Sequence, residues 1–316
     1  MKDLWKQSAL FVLIGLVIYA GAYYASEQLV YKYAKRNRFY TVRMARQPGY
    51  DYVILGASHA LPLDFEDVNV RLQETTGARI INLSTPGGGL VPNRLLLEYL
   101  LTRHKAKSVI YILDSFFFYS REWNEDRLKD VRLFRRAPFD PDLAKLLVAY
   151  SFRGAIGPGT ALDYISGFSK INNADRFKPD LSEDELTRFR RVHKPTSRDI
   201  KRVEYLYPPK IDEQVFNKYL SMFGDLVGYL ESRDIQLVAI RPPVPKRFYD
   251  MIPKEAEFDR RIAELLAKEQ VPLYNFTLVD NDEKYFYDSD HLNRSGVLTF
   301  IDKHLKQVLT QHRRVD

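Results

Sequence analysis

Two short polar segments at opposite ends of the chain carry residue types suited to acyl-transfer chemistry. Gly56-Ala57-Ser58-His59 follows an apolar run, and Asp288-Ser289-Asp290-His291 precedes the last helix-like stretch. A serine hydroxyl becomes a nucleophile when a histidine accepts its proton and a carboxylate orients that histidine. The two segments together predict a divided site, with Ser58 as nucleophile, His291 as general base and Asp288 orienting the imidazole ring.

The Ser58 turn is expected to expose the serine hydroxyl at the end of a buried strand. A glycine-containing turn that opens a helix also places backbone N–H groups beside that hydroxyl. Taken alone, the turn is more typical of a serine that only caps a helix. His59 is adjacent in sequence, but neighbouring side chains on a turn usually diverge, so we do not expect it to be the base.

Two further turns are candidates for binding substrate. Pro86-Gly87-Gly88-Gly89 follows the second predicted strand, so the N–H groups of Ser58 and Gly87 are expected to hold an oxyanion, with a plain loop as the alternative. Arg241 follows the fourth strand, where it is expected to contact an anionic acceptor or carrier group, with a surface ion pair as the alternative. No phosphate-loop or dinucleotide signature is present, and no metal or organic cofactor is predicted.

The elements that must position these residues alternate between strand-like and helix-like segments. Short apolar runs predict strands over 52–55, 78–83, 109–113 and 237–240, with a weaker fifth over 271–275. Longer periodic stretches predict helices over 93–104, 212–232, 255–269 and 295–311. Continuous apolar strands separated by helices predict a three-layer α/β/α domain with a mainly parallel, five-stranded sheet of the flavodoxin type. Ligands of such sheets bind beyond the carboxyl ends of the strands.

A long segment interrupts this alternation. Residues 115–210 are rich in aromatic, arginine and turn residues and are interpreted as an insertion after the third strand. A cap or a docking element for a partner is the functional interpretation, and a surface excursion without a role in the chemistry is the alternative.

The N-terminus predicts a membrane segment. Residues 8–25 carry no charge. An uncharged segment of this length can cross a bilayer core of ~30 Å. Lys2 and Lys6 precede the segment, and Ala20-Gly21-Ala22 resembles a cleavage site, so anchor and cleaved signal both remain open. A buried helix of a soluble domain is the third alternative. Residues 1–34 are therefore assigned to the anchor or signal, and 35–316 to one catalytic domain.

Composition narrows the function further. The chain has 316 residues, 45% of them hydrophobic, and a formal net charge of +7 that is scattered along the sequence. No zinc-finger, RNA-recognition or basic-zipper signature occurs, so nucleic acid is not an expected partner. Because cysteine is absent, the chain has no disulfide, no thiolate metal site and no cysteine nucleophile.

Three of these features together resemble the SGNH (GDSL-like) hydrolase superfamily. The Gly-x-Ser turn after the first strand, the Asn82 to Gly87 spacing after the second, and Asp288-x-x-His291 before the final helix are similar to its blocks I, II and V. The resemblance implies that Ser58 is the nucleophile and that Gly87 binds the oxyanion. The chain departs from block III, which supplies an oxyanion asparagine, because it has Leu113-Asp114-Ser115-Phe116 there. Ser115 or a water molecule is then expected to substitute.

With its apolar N-terminus and long insertion, the chain is most similar to the membrane-anchored DltD-like and AlgJ/AlgX-like branch. That resemblance implies a membrane-tethered serine esterase or O-acyltransferase that uses an acyl donor and a carbohydrate or polyol acceptor of the cell envelope. The alternative is a non-catalytic adaptor of the same fold that docks a membrane-bound O-acyltransferase. The cations that follow the apolar segment, Lys32, Lys35, Arg36 and Arg38, would by simple count place the domain in the cytoplasm. We nevertheless expect an exported domain, because this cluster begins past the apolar end and the resemblance points outward.

Overall fold

The computed structural model describes residues 2–129, 131–178, 183–196 and 198–314. Its five strands form one parallel sheet in the order β2-β1-β3-β4-β5. The strands are β1 (Gly49–Leu55), β2 (Ile80–Asn82), β3 (Lys105–Ile112), β4 (Gln236–Arg241) and β5 (Leu273–Asn275).

The helices in chain order are α1 (Lys2–Tyr33), α2 (Arg38–Met44), α3 (Val68–Thr76), α4 (Leu90–Leu101), α5 (Phe116–Tyr119), α6 (Glu125–Lys129), α7 (Val131–Arg135), α8 (Pro141–Phe152), α9 (Pro158–Ser166), α10 (Phe168–Ile171), α11 (Glu183–Arg188), α12 (Arg198–Leu206), α13 (Glu213–Glu231), α14 (Lys246–Tyr249), α15 (Glu255–Lys268), α16 (Arg294–Phe300) and α17 (Lys306–Gln311). Short 3-10 helices cover Ser58–Asp64 and Glu283–Tyr285, and a π-helical turn, Ile301–Leu305, joins α16 to α17.

The sheet is buried because helices cover both of its faces. On one face, alternate residues of the central strands, such as Ile54 and Ile110, pack with Leu72 of α3 and with α16 and α17. On the other face, the ring of Tyr111 lies edge-on to Phe223 of α13, with 5.3 Å between the ring centroids. Strands buried on both sides read as continuous apolar runs, which is why the sequence predicted them. The three-layer α/β/α fold class with a parallel five-stranded sheet is confirmed.

The strand order determines where a ligand crevice forms. The chain moves outward from β1 to β2 and then returns past β1 to β3, so the order reverses between β1 and β3. In doubly wound sheets, the crevice for ligands lies outside the carboxyl ends of the strands at this reversal. The segments that follow β1 and β3 begin at Gly56 and Leu113, which places the predicted Ser58 turn at this crevice.

The described helices agree broadly with the predicted ones, and the differences are local. The helix predicted over 295–311 contains the π-helical turn, and β5 is shorter than predicted, with only three residues. The segment 115–210 folds largely into short helices, α5 to α12, although residues 130, 179–182 and 197 lie outside the described residues.

The chain divides into two compact units. Unit 1 consists of Met1–Ala45 and Leu128–Leu181, and unit 2 consists of Arg46–Arg127 and Ser182–Asp316. The sheet and all of the candidate site residues belong to unit 2. Within unit 1, Glu27 of α1 forms a buried ion pair with Lys170 of α10, and the Tyr23 ring packs against Gly167. The assignment of residues 1–34 and 35–316 to two domains stays a prediction.

Within the described residues, one helix is long and apolar enough to cross a membrane, Asp3–Tyr33. Its most apolar stretch is not buried, and Phe11, for example, is 79% exposed. The buried-helix alternative for this segment is therefore wrong. A signal sequence shares these properties, so the length and composition of α1 do not distinguish an anchor from a signal.

Candidate active site

Gly56 connects β1 to the Ser58 turn, and any other residue at this position would be strained. Gly56 has φ +147°, and a Cβ there would lie 2.8 Å from the carbonyl oxygen of Ile112 on the neighbouring strand. The chain can therefore turn sharply at the end of β1 and begin the 3-10 helix Ser58–Asp64. Ser58 is the first residue of that helix and is 9% exposed.

One buried asparagine connects this turn to the glycine-rich turn after β2. The Asn93 side chain is fully buried in α4, and its Oδ1 accepts the N–H of Gly56 at 3.3 Å. Its Nδ2 donates to the carbonyl oxygens of Gly88 and Gly89 at 2.9 and 2.8 Å. Because a single side chain holds both turns, their backbones keep a fixed relative position at the edge of the sheet.

Gly87 has the left-handed backbone conformation that favours glycine. Its φ is +60°, and a Cβ at this position would lie 2.8 Å from two carbon atoms of the Trp123 ring. The indole N–H of Trp123 donates to the carbonyl oxygen of Leu206 at 2.9 Å, which fixes the ring against this turn. The structure thus explains glycine here by packing and conformation, and the oxyanion role of Gly87 stays a prediction.

The C-terminal turn brings His291 and Asp288 together. Nδ1 of His291 lies 2.9 and 3.0 Å from the two carboxylate oxygens of Asp288. The same carboxylate accepts the backbone N–H groups of Asp290 and His291, and the bridge between Phe286 and Leu292 closes the turn. Asp288 therefore fixes both the turn and the ring, so that the neutral form of His291 carries its proton on Nδ1 and can accept one on Nε2.

Asp290 is a second carboxylate in contact with His291. It is completely buried, and Oδ1 lies 3.2 Å from Nδ1 of His291. The guanidinium of Arg202, on α12, contacts both oxygens of Asp290, with Nε at 3.1 and 3.0 Å. Nη2 of Arg202 also lies 3.5 Å from Nε2 of His291. A charge as deeply buried as Asp290 requires such a partner, because its isolated burial would be costly.

His59 lies in the same cluster. Its Nδ1 is 2.5 Å from Oδ1 of Asp114, the second residue after β3, and its Nε2 is 3.4 Å from Oδ2 of Asp290. The His59 and His291 rings face each other at 4.8 Å between centroids, with a tilt of 33°. The crevice between β1 and β3 therefore contains two imidazoles, each with a carboxylate on Nδ1, and Asp290 in contact with both rings.

Electrostatics in this cluster favour charged histidines and ionised carboxylates. Burial disfavours protonated His59, but Asp114 and Asp290 outweigh it and raise the pKa of His59 to about 10. Burial likewise opposes the charge on His291, yet Asp288 and Asp290 raise its pKa above the ordinary value. Burial opposes ionisation of Asp290, but Arg202 and His291 lower its pKa well below the ordinary value. Because the two rings are in contact, their protons leave in coupled steps.

The cluster also has donor atoms of the kinds that bind metal ions. Ligand atoms of His59, Asp290 and His291 lie within 4.8 Å of one another. However, the guanidinium of Arg202 already contacts both oxygens of Asp290, so a divalent cation there would be repelled by a fixed positive charge. The arrangement fits an ion-pair cluster better than a metal centre.

The predicted binding residues Ser115 and Arg241 lie in a neighbouring buried network. Ser115 Oγ contacts the hydroxyl of Tyr207 at 2.7 Å and donates to Glu255 Oε2 at 2.5 Å. Arg241 is 3% exposed and pairs with Glu255 and with Asp259, so the alternative that it forms a surface ion pair is wrong. Both side chains are committed to protein partners, and their roles in binding substrate stay predictions.

A second network fixes the C-terminal turn from outside. Ser289 Oγ donates to Asp199 Oδ1 at 2.5 Å, and Asp199 also contacts Arg247 and His193, at 2.6 and 3.2 Å. The contact between Ser289 and Asp199 holds the turn of residues 288–291 against the first turn of α12. Because Arg202 is on that helix, the last part of the segment 115–210 contributes directly to the cluster around His291.

The structure therefore brings His291 and Asp288 into direct contact, and the ring of His59, the residue after Ser58, lies tilted against the ring of His291. In the described part of the chain, the Ser58 hydroxyl has no hydrogen bond to His291. Catalytic hydrogen bonds often form only when substrate is bound. Sequence reasoning missed the roles of His59 and Arg202. The position of His59 just after a predicted strand could have indicated that its side chain lies at the site, whereas no local pattern in the sequence indicated this for Arg202.

Among known proteins, the chain is similar only at the level of three-dimensional structure to those described below. No family model matches the chain, and no curated protein matches it. Among solved structures, the chain is similar to a presumed acylhydrolase from Bacteroides fragilis, with 10% identity and a TM-score of 0.45. The similarity covers 87% of this chain and 94% of that one. A similarity of this size leaves the activity to be inferred from the side chains of the site.

Proposed function

We propose that unit 2 is a serine esterase or O-acyltransferase in which Ser58 is the nucleophile. The observation that carries the proposal is the contact of His291 Nδ1 with Asp288 at 2.9 Å, in a cluster that reaches the Ser58 turn through His59. A carboxylate on Nδ1 sets the tautomer that a general base needs. The location at the strand reversal between β1 and β3 supports the same function.

In the proposed reaction, Ser58 Oγ attacks an ester carbonyl while its proton moves to Nε2 of His291. The new bond joins Oγ to the carbonyl carbon, and the carbonyl electron pair becomes an oxyanion near the N–H groups of Ser58 and Gly87. Collapse of this intermediate expels the alcohol, which takes the proton from His291. A second hydroxyl, from a carbohydrate or from water, then enters by the reverse steps and removes the acyl group.

The finer assignment rests on the resemblance to the SGNH superfamily and its DltD-like and AlgJ/AlgX-like branch. In this proposal the acceptor is a cell-envelope polysaccharide or a similar polyol, and α1 tethers the enzyme to the membrane. The exposed apolar side chains of α1 support the tether, as does the buried pair of Glu27 with Lys170, which fixes the end of α1 within unit 1.

An exported unit 2 can be tested directly because the chain contains no cysteine. Lys268→Cys introduces one thiol at a side chain that is 80% exposed. A membrane-impermeant maleimide added to intact cells should label this variant if unit 2 is outside the cytoplasm. Labelling only after the cells are permeabilised would place unit 2 in the cytoplasm and contradict the proposed cell-envelope substrate.

Reaction with a fluorophosphonate tests the proposed nucleophile. The full chain in detergent is exposed to the probe, and the wild type, Ser58→Ala and His291→Ala are compared by intact-protein mass spectrometry. We expect one adduct on the wild type and none on either variant, because phosphonylation requires an activated serine. Ser84→Ala is the matched control, since that serine, two residues after β2, donates to Asn82 and should not react.

The absence of an adduct on folded wild-type protein would reject the autonomous enzyme. That result would favour the adaptor that docks a membrane-bound O-acyltransferase, and recovery of such a protein by crosslinking would then be the decisive measurement. An adduct that persists in Ser58→Ala would show that another residue reacts and would reject Ser58 as the nucleophile.

A further inference from the structure

We infer that His59 is a catalytic residue that donates a hydrogen bond from Nε2 to the oxyanion. This inference rests on the proposed function and adds a residue to it. Oxyanion sites use preorganised N–H donors aimed at the oxygen on which negative charge develops. The turn after β3 offers carboxylate and hydroxyl side chains, at Asp114 and Ser115, and no side-chain N–H.

The first observation is an unsatisfied polar atom. Nε2 of His59 is buried, and in the residues that the structure describes it has no hydrogen-bond partner. Oδ2 of Asp290 lies 3.4 Å from Nε2, and this ion-pair contact favours the charged ring without meeting hydrogen-bond geometry. Buried polar atoms are nearly always hydrogen-bonded, so an exception beside a nucleophile points to a group that becomes satisfied only when substrate binds.

The second observation is that the surrounding charges keep a proton on both nitrogens. Asp114 accepts from Nδ1 and Asp290 faces Nε2, while the ring of His291 lies on one side of His59. The guanidinium of Arg202 contacts the same carboxylate, Asp290, with Nη2 2.9 Å from Oδ2. Two nearby carboxylates outweigh these cations, and the pKa of His59 rises to about 10. Neutral histidine with its proton on Nδ1 could not donate from Nε2.

Other groups near His59 belong to the small cavity of about 20 Å³ beside it. Its charged and titratable lining residues are Asp114, Tyr207, Arg241 and Glu255. Arg241 is neutralised by Glu255 and Asp259, and burial holds the pKa of Glu255 above its ordinary value. Apart from Asp114, the one cation of this lining, Arg241, is already paired with carboxylates, so Asp114 and Asp290 are the charged groups in contact with the ring.

The position of His59 in the chain keeps this donor on the same turn as the proposed nucleophile. It follows Ser58 immediately, so its ring is anchored to the same 3-10 helix as the nucleophile. In the attack step, the bond between Ser58 Oγ and the carbonyl carbon forms and the proton goes to His291. The electron pair moves to the carbonyl oxygen, which then accepts the hydrogen bond from His59 Nε2. No proton leaves His59 during the cycle.

The test measures the second-order rate constant of fluorophosphonate labelling for the full chain in detergent, because the phosphoryl oxygen needs the same donor. His59→Phe keeps a ring and removes the donor, and His59→Gln keeps a neutral donor without the charge. We expect a loss of about 10²–10³-fold for the phenylalanine variant and a smaller loss for the glutamine variant. His104→Phe is the matched control, since its ring bonds to Gln47 away from the site.

The pH dependence separates an oxyanion donor from a structural residue. Wild-type labelling should fall at high pH with a pKa near 10, and this decline should be absent in His59→Gln. Equal labelling of wild type and His59→Phe would reject the inference while leaving Ser58 as the nucleophile. The inference would also be rejected if His59→Phe and His59→Gln lost the same labelling rate and both kept the decline at high pH. That result would assign His59 a structural role. Absence of labelling in the wild type would reject the proposed function itself.

Discussion

The two histidine–aspartate pairs of unit 2 have the same chemistry but differ in how they are built. His291 and Asp288 lie three residues apart in one turn, whereas His59 and Asp114 come from the ends of two different strands. A local pair can form wherever its turn forms. The second pair exists only because the strand order brings the ends of β1 and β3 together.

The surroundings of the two rings also differ. His59 lies between Asp114 and Asp290, with one carboxylate near each ring nitrogen. His291 has both of its carboxylates near Nδ1, and the donor nearest its Nε2 is Arg202. One ring is thus suited to remain protonated, and the other is suited to exchange a proton at Nε2. In the proposed reaction, the positions of the carboxylates, more than the histidines themselves, therefore distinguish the donor from the base.

The largest effect is expected for the ring assigned as the base. His291→Gln should lower kcat/KM for a small activated ester by about 10⁴-fold or more, because no other group would accept the Ser58 proton. The measurement is steady-state hydrolysis by the full chain in detergent. His104→Gln serves as the control and should match the wild type. A loss of less than tenfold in His291→Gln would exchange the roles of the two rings.

Loss of the carboxylate that orients the base, Asp288, should lower kcat more than loss of Asp114, which orients His59. Asp288→Asn removes the main partner of His291, but Asp290 Oδ1 lies 3.2 Å from the same nitrogen and can partly replace it. We therefore expect kcat to fall by about 10²–10³-fold, less than for loss of the base. Asp114→Asn should lower kcat at neutral pH by about tenfold, because His59 loses one of the two carboxylates that favour its charged form. Parallel measurements of kcat test this order, which a larger loss for Asp114→Asn would contradict.

Much of this architecture could be predicted from the sequence, because it depends on local patterns. Four apolar runs predicted strands, and the Asp288-x-x-His291 spacing predicted a contact that the turn itself produces. The contact between His59 and Asp114 spans 55 residues and depends on strand order, so no local pattern reports it. Arg202 belongs to a segment whose helices have short and irregular patterns, and its contact with Asp290 spans 88 residues.

The third prediction uses pH to separate the two rings. Activity should rise as His291 loses its proton, with a pKa above the ordinary 6.5, and fall as His59 loses its proton near pH 10. In the proposed reaction the active form has a neutral His291 and a charged His59. A bell-shaped profile of kcat/KM would support this assignment. A profile that rises without a high-pH decline would contradict the charged state of His59.

The same pKa shift predicts how stability depends on pH. Since the pKa of His59 is higher in the folded chain than in the unfolded chain, its contribution is complete below the unfolded value and disappears as pH rises through about 10. The free energy of unfolding, from urea titrations of the full chain, should therefore decrease between pH 7 and 10. The decrease should be smaller in His59→Gln, and an equal decrease would show that other groups cause it.

The smallest effect on activity is expected at Arg202, which touches the cluster without belonging to either pair. Arg202→Met leaves the buried carboxylate of Asp290 without its cation, and the freed negative charge raises the pKa of His291 further. The low-pH limb of the activity profile should then move to higher pH, while the rate at the plateau stays within about tenfold. Because Asp290 is completely buried, removal of its cation leaves an uncompensated buried charge, and we expect the free energy of unfolding to fall by about 3–5 kcal/mol. Arg202→Lys keeps a positive charge near Asp290 and should show a smaller shift of the limb than the methionine variant. An unmoved limb in Arg202→Met, in a protein that unfolds at the same urea concentration, would show that Asp290 does not influence the base through its charge.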